Sequence, residues 1–259
     1  MRVISGRAAP KGEHFPGSRP APVASTYQVA RNDRPVVLFA ALVAEASALV
    51  RRLAPSAIPT PRLSIWEGDV AGTPVVLVVT GVGKVAAALA AQFACDVFHP
   101  RAAIVFGLAG ATASDLPPGQ LIVASGAVQH DMDARPLTDA KGTIPSLGIA
   151  VLPADPTWSE KLGQATENPR IGLILTGDQI VTSREVRDRL MRDFPEGACF
   201  DMETAAIAQV AVQNGIPWAA LRMTSDAADE SFNLDEVIGF GIKTAADLFD
   251  RVFGALLKG

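Results

Sequence analysis

The chain has 259 residues, 49% of them hydrophobic, with 23 Lys and Arg against 27 Asp and Glu for a formal net charge of −4. That length and apolar content suffice for one large core. No block of basic residues stands out, which argues against nucleic acid or an anionic membrane surface as a partner and leaves a small-molecule ligand.

Residues 1–35 are rich in Pro, Gly, Ser and Arg and poor in apolar periodicity. Such a stretch cannot bury enough surface to offset the entropy of ordering, so it reads as a mobile extension ahead of one catalytic domain at 36–259. Lys11-Gly-Glu-His14 is too sparse for a metal site. The N-terminus lacks the continuous apolar stretch of a signal peptide, and no later run approaches membrane-spanning length free of breakers. The only cysteines, Cys95 and Cys199, lie in apolar surroundings and suit a reducing compartment better than a disulfide framework. A cytoplasmic protein is expected.

From Val36 onward, short aliphatic runs alternate with Ala-rich helical stretches, the pattern of a mainly parallel sheet covered by helices. Strands are predicted over 36–41, 63–69, 74–80, 102–107, 120–129, 171–176, 198–202 and 218–224. Helices are predicted over 44–53, 84–98, 184–192, 203–214 and 242–257, the last with Ala245, Leu248, Phe249, Val252 and Leu256 on one packing face. Pro117-Pro-Gly-Gln and Asn168-Pro mark loops. The fold class is therefore α/β, a single-domain α/β/α sandwich around a mixed, mainly parallel twisted sheet.

Glu45 follows the first apolar run, in Ala41-Leu-Val-Ala-Glu-Ala. A glutamate in a first helical turn is favoured by the helix dipole. A carboxylate held at an apolar strand end can also have its pKa raised and take a proton from water. Two glycine-bearing turns come next, Thr80-Gly-Val-Gly-Lys84 and Phe106-Gly-Leu-Ala-Gly110. Glycine lets a backbone approach a ligand, so either turn could line a pocket or be no more than a tight turn. Neither is a dinucleotide or Walker fingerprint. His130-Asp-Met-Asp-Ala-Arg135 offers no defined ligand geometry, and no further His or Cys completes a metal site. It reads as structural or pocket-edge, and no metal or organic cofactor is expected.

Leu175-Thr-Gly-Asp-Gln-Ile-Val-Thr-Ser183 reads as a strand end and turn, with Asp178 placed for a local cap. Two further apolar runs end on carboxylates. Cys199-Phe-Asp-Met-Glu-Thr-Ala-Ala-Ile-Ala presents Asp201 and Glu203, and Leu221-Arg-Met-Thr-Ser-Asp-Ala-Ala-Asp229 presents Asp226. Open α/β sheets collect their chemistry at strand ends. A carboxylate there could grip ribose hydroxyls or donate a proton, or Asp201 and Asp226 could cap the helices after them.

Taken together and in this order, these segments resemble the nucleoside phosphorylase and nucleosidase superfamily, and within it the methylthioadenosine/S-adenosylhomocysteine nucleosidases. The resemblance covers 36–259. It implies that Glu45 activates or positions the attacking water and that the loop ending at Gly110 passes under the sugar. It also implies that backbone groups of Ile180 and Val181 read the base edge. Met202 would pack under the ribose, with Asp201 counted among the substrate-binding residues. Glu203 would accept from the 2′ and 3′ hydroxyls, a task that suits a carboxylate because both its oxygens accept. Arg222, counted with Ser225 among the substrate-binding residues, would lie near the water-activating acid, and Asp226, oriented by Ser225, would protonate purine N7. A similar His-Asp-x-Asp segment lies near the subunit interface of the family.

Two departures stand out. Leu108 occupies a place where a nucleosidase normally carries Ser. Ile180 replaces a commoner aromatic and removes stacking worth about 0.5–1.5 kcal/mol. Phosphorylases anchor phosphate with an arginine near the first strand's end, whereas this chain has Glu45 there and no arginine until Arg51. The implied reaction is hydrolysis of an adenine nucleoside bearing a 5′-thioether, in methionine salvage, by a homodimer. A nucleosidase for another 5′-modified nucleoside such as futalosine, a hopanoid-associated phosphorylase and a nucleoside-binding relative with little turnover remain open alternatives.

Overall fold

Val36–Ala40 is buried along its whole length, and its side chains divide by alternation between two apolar layers. Val37 and Phe39 join one, while Val36, Leu38 and Ala40 join the other. A strand buried on both faces must lie inside a sheet covered on both sides. The computed structural model, which describes residues 34–53, 57–58, 63–113 and 116–258, has that arrangement. Residues 1–33 of the expected extension, with Lys11 and His14, lie outside the described residues.

In chain order the elements are β1 (Val36–Ala40), α1 (Val43–Leu53), β2 (Ala57–Ile58), β3 (Ser64–Val70), β4 (Thr73–Val79), α2 (Lys84–Phe98) and β5 (Ala102–Ala111). There follow β6 (Leu121–Gln129), β7 (Leu152–Pro153), α3 (Pro156–Ala165), β8 (Arg170–Thr176), α4 (Arg184–Asp193), β9 (Gly197–Asp201), α5 (Thr204–Asn214) and β10 (Trp218–Asp226). The chain ends in α6 (Leu234–Phe240), a π-helical turn Gly241–Ala245 and α7 (Ala246–Leu256).

One face of the sheet is covered by α2, through Ala87, Ala90, Ala91 and Ala94, and by the alanines of α5. The other is covered by α1, α3 and α7, with Leu49, Leu162, Phe249 and Phe253 in the same layer. Phe106 meets the rings of Phe249 and Phe253 edge-on at 5.1 and 4.9 Å. The α/β/α sandwich read from the sequence is the observed architecture.

The sheet is mixed, in the order β10-β6-β8-β9-β5-β1-β4-β3-β2, with β7 added to β6. Strands β4, β1, β5 and β10 run parallel, as do β6, β8 and β9. Because β10 also pairs with β5, strands β5, β10, β6, β8 and β9 close into a ring. Nothing in the sequence pattern announces that closure. It depends on β5, which does not end at Gly107 as its apolar run suggests but continues to Ala111. Its first half pairs with β1, while Gly110 and Ala111 pair with β9. Gly107, at φ +150°, bends the strand between the two; a glycine inside a strand often marks such a bend or a close approach.

Two other differences bear on the site. Helix α3 is absent from the predicted elements although Asp155 caps it, accepting from Trp158 N–H at 3.0 Å, and Pro156 opens it, a standard start signal. The single helix predicted over 242–257 begins earlier, at Leu234, and carries the π-turn at its centre. A π-turn widens the helix locally and so rotates the segment before it relative to the segment after it. As a result α7 faces the core while Leu234 and Val237 of α6 face a cleft.

Candidate active site

The cleft lies at the C-terminal ends of β1, β5, β9 and β10 and brings together Glu45, Gly110, Ile180, Val181, Met202, Glu203, Ser225 and Asp226. Glu45 sits in the first turn of α1 and is buried. Its Oε2 accepts from Leu42 N–H at 2.9 Å and its Oε1 from Leu108 N–H at 2.8 Å. The first contact is a reach-back cap, so one carboxylate closes the helix and also borders the cleft. Burial raises its pKa, against the opposing pull of Arg222 and these backbone donors. Gly107 makes the packing beneath it possible. A Cβ there would lie 2.6 Å from Glu45 Oε1 and 2.7 Å from Arg222 Nη1.

Arg222 does not line the cleft. Its side chain is 1% exposed and pairs with Asp201 Oδ2, also 1% exposed. Nε and Nη2 both donate to Thr204 Oγ1, at 3.1 and 2.8 Å, and Nη2 lies 3.7 Å from Glu203 Oε2. Burial works against its charge, but Asp201, Glu203 and Glu45 together outweigh that and raise its pKa. Asp201 is likewise consumed by the protein. Its oxygens accept from the hydroxyls of Thr176 and Thr204, and Oδ2 also accepts from Thr204 N–H at 3.0 Å. The sequence reading counts both residues as substrate-binding and puts Arg222 near Glu45. Asp201 borders the cleft, its oxygens already engaged by Thr176, Thr204 and Arg222, while Arg222 lies beneath, close to Glu45 and Glu203.

Glu203 occupies the position just before α5, yet its side chain makes no cap; Asp201 serves Thr204 N–H instead. Glu203 is thereby free to point into the cleft, where Oε1 accepts from Gly83 N–H at 2.9 Å. Burial, opposed by Arg222 and reinforced by Asp201, pushes its pKa up to about 7. The Gly83 turn is fixed in its own right. Lys84 N–H donates to Asp178 Oδ1 (2.7 Å), Asp178 N–H to Asp131 Oδ2 (2.9 Å), and Lys84 Nζ pairs with Asp131 Oδ1 at 2.7 Å. This ring joins the Gly83 turn to the segment carrying Ile180 and Val181. Next to it His130 is buried against Gly177 and Phe200, and burial lowers its pKa. Among the described residues no group of His, Cys, Asp and Glu could hold a metal ion.

Across the cleft, Asp226 Oδ2 accepts from Ser225 Oγ at 2.6 Å and Oδ1 from Ala228 N–H at 2.9 Å. The turn needs Ala228 at φ +50°. It passes so close to β5 that a Cβ on Gly110 would lie 3.2 Å from that of Ala228.

The chain as a whole has relatives among known proteins. The Phosphorylase superfamily model matches residues 35–257. The chain belongs to that superfamily. It is similar to the 5′-methylthioadenosine/S-adenosylhomocysteine nucleosidases of Staphylococcus carnosus (30% identity, covering 74% of this chain and 86% of the relative) and Oceanobacillus iheyensis (33%, covering 71% and 82%). Among solved structures it is similar to the Neisseria meningitidis nucleosidase in complex with methylthio-immucillin-A, with a TM-score of 0.80 at 31% identity over 87% of this chain and 99% of that one. The Streptococcus pyogenes S-adenosylhomocysteine nucleosidase in complex with 5-methylthiotubericidin gives 0.81 at 29%, over 89% and 98%.

For this superfamily member, sequence reasoning overlooked the far wall of the cleft, formed by Phe232, Leu234 and Val237, together with Val82 and Phe200. A signal for the wall was present. Asn233 accepts from Asp235 and Glu236 N–H as a helix cap, and Asn shortly before Asp-Glu is a recognisable start. Gly239 and Gly241 obscured it. Gly241 has a structural reason, since a Cβ there would meet Leu108 Cδ1 at 3.2 Å. Leu108 thus lies against the π-turn at the cleft's edge.

Proposed function

We propose that this superfamily member hydrolyses the N-glycosidic bond of an adenine nucleoside carrying a 5′-thioether, methylthioadenosine or S-adenosylhomocysteine, and releases adenine. The observation that carries this reading is the charge of the cleft. Glu45, Glu203 and Asp226 border it with Asp201 at its floor, and no Lys, Arg or His does among the described residues. A phosphate dianion would find no cationic side chain to hold it there, since the guanidinium of Arg222 is buried and surrounded by carboxylates. Water is the compatible nucleophile. The apolar wall of Val82, Leu108, Phe232, Leu234 and Val237 suits a thioether, and the relatives' activities agree with that substrate class.

The chemistry follows from the roles these positions suit. As the C1′–N9 bond breaks, positive charge develops on the ribose and negative charge on the purine. Asp226, held by Ser225 and Ala228, gives a proton to N7 so that adenine leaves neutral. Glu45 takes the proton of the water whose oxygen bonds to C1′; its raised pKa makes it a better base. Glu203 accepts from the ribose hydroxyls through the oxygen not held by Gly83, while Met202 packs under the sugar. The backbone of Ile180 and Val181 meets the base edge. Asp201 and Arg222 hold the carboxylates in place.

Free adenine release from methylthioadenosine tests the reading. Asp226→Asn keeps the shape but not the transferable proton, so kcat should fall by about 10²–10⁴ with KM little changed. A near-normal rate in that variant would return Asp226 to a turn residue.

We further infer a homodimer with one catalytic domain at 36–259. Val82, Val85, Leu89, Phe93 and Val97 lie on one face of α2 and its preceding turn, 37–72% exposed, an apolar stripe suited to a second copy. Cys95 and Cys199 are both free thiols, which agrees with the cytoplasm; the proposed substrates would give the enzyme a role in methionine salvage.

A further inference from the structure

The candidate acid sits on a turn with little support of its own. Asp226 is half-exposed, the ladder with β5 slips between Thr224 and Asp226, and Ala228 adopts a left-handed conformation that non-glycine residues disfavour. A turn of that kind persists only when its surroundings over-determine it. Besides β5, which packs against the turn at Gly110, the polar surroundings come from α4. Arg187, near the start of that helix, is 6% exposed, unusual for an arginine, and its Nη1 donates to the carbonyl of Ala227 at 2.9 Å. Its Nε donates to Asp188 Oδ1 at 3.3 Å. At the first residue of the same helix, Arg184 N–H donates to Glu230 Oε1 at 3.0 Å and Arg184 Nη2 lies 3.5 Å from Asp229 Oδ2. Ala228 itself is fully buried in a cluster with Val181 and Leu190.

We infer that Arg187 is a positioning residue for the proton donor: through the Ala227 carbonyl it holds the turn that aims Asp226, and it does so from the helix that begins directly after the base-reading segment. This rests on the nucleosidase reading and adds to it. Helix α4 follows Ile180 and Val181 by a few residues and also grips the acid's turn, so it fixes the distance between the group that reads the purine edge and the group that protonates N7. Arg187 touches neither substrate nor Asp226, and its effect should appear only where proton donation limits the rate.

Leaving-group dependence isolates that effect. Adenine needs its proton to depart, whereas a nitrophenolate leaves without one. The experiment compares wild type, Arg187→Ala and Arg187→Lys on methylthioadenosine and on the 5′-methylthioriboside of p-nitrophenol. In Arg187→Ala, kcat for methylthioadenosine should fall about ten- to hundredfold, the scale expected for a misplaced catalytic group. KM and the rate with the nitrophenyl substrate should stay within about threefold of wild type. Arg187→Lys, whose ammonium can donate to the same carbonyl, should recover most of the lost rate. If Arg187→Ala does not yield folded protein, the Lys variant and Arg187→Gln are compared on the same two substrates, with selective loss on methylthioadenosine in the Gln variant expected. Equal loss on both substrates, or no loss on either, would overturn the positioning role while leaving the nucleosidase reading intact. A wild type that releases no adenine would overturn both.

Discussion

Glu203 is the residue whose chemistry depends most on its neighbours. Asp201 takes over the capping of α5, Gly83 N–H holds one Glu203 oxygen, and the other is left beside the cleft. Burial pushes the carboxyl's pKa up to about 7, so the free enzyme carries it partly protonated near neutrality. A protonated carboxyl loses an acceptor and gains a donor, which suits ribose hydroxyls less well. We therefore expect kcat/KM for methylthioadenosine to fall as pH drops below about 7, with that acid limb absent in a weakened Glu203→Gln variant. An unchanged limb in the Gln variant would assign the titration to another group. At this scale the apolar runs ending on Glu45, Glu203 and Asp226 were legible in the sequence, and the structure gathers all three beside one cleft. The burial of the Asp201–Arg222 pair, with Asp201 at the cleft's floor and Arg222 beneath it, was not legible, because burial of a charged pair depends on what packs above it.

At the scale of elements, the bend of β5 at Gly107 is what lets one strand serve both β1 and β9 and lets Glu45 and Arg222 approach under it. Gly107→Ala would put a Cβ 2.6 Å from Glu45 Oε1 at a φ that L residues rarely adopt. The expected outcome is a lower Tm together with a loss of kcat of about tenfold or more, because the candidate base itself must move. Normal kcat with a lowered Tm would separate the bend from Glu45. Eight of the ten strands were legible, most because buried parallel strands read as aliphatic runs; the two-residue strands β2 and β7 carry too short a run to show. The second half of β5, Leu108–Ala111, was not: Gly107 and Gly110 look like a turn, and pairing with β9 comes from strand closure, a tertiary event. Helix α6 escaped for a related reason, since Gly241 just beyond it serves close packing against Leu108 and not chain reversal.

For the whole molecule, the exposed stripe on α2 begins at Val82, which also borders the cleft. A second copy seated on that stripe would close the cleft's apolar end. By sedimentation velocity the wild type should therefore run as a dimer and Leu89→Glu, with Leu89 68% exposed in the single chain, as a folded monomer. A wild-type monomer would contradict the inferred assembly. The charge of the cleft belongs to the same scale, because Glu45, Glu203 and Asp226 come from three separate strand ends and together determine which nucleophile can enter. The measurement that tests this most directly is turnover of methylthioadenosine in ¹⁸O-labelled water with phosphate in excess. The expected result is one labelled oxygen at C1 of the released thioribose, at a rate independent of phosphate. A sugar 1-phosphate product, or turnover that requires phosphate, would contradict it.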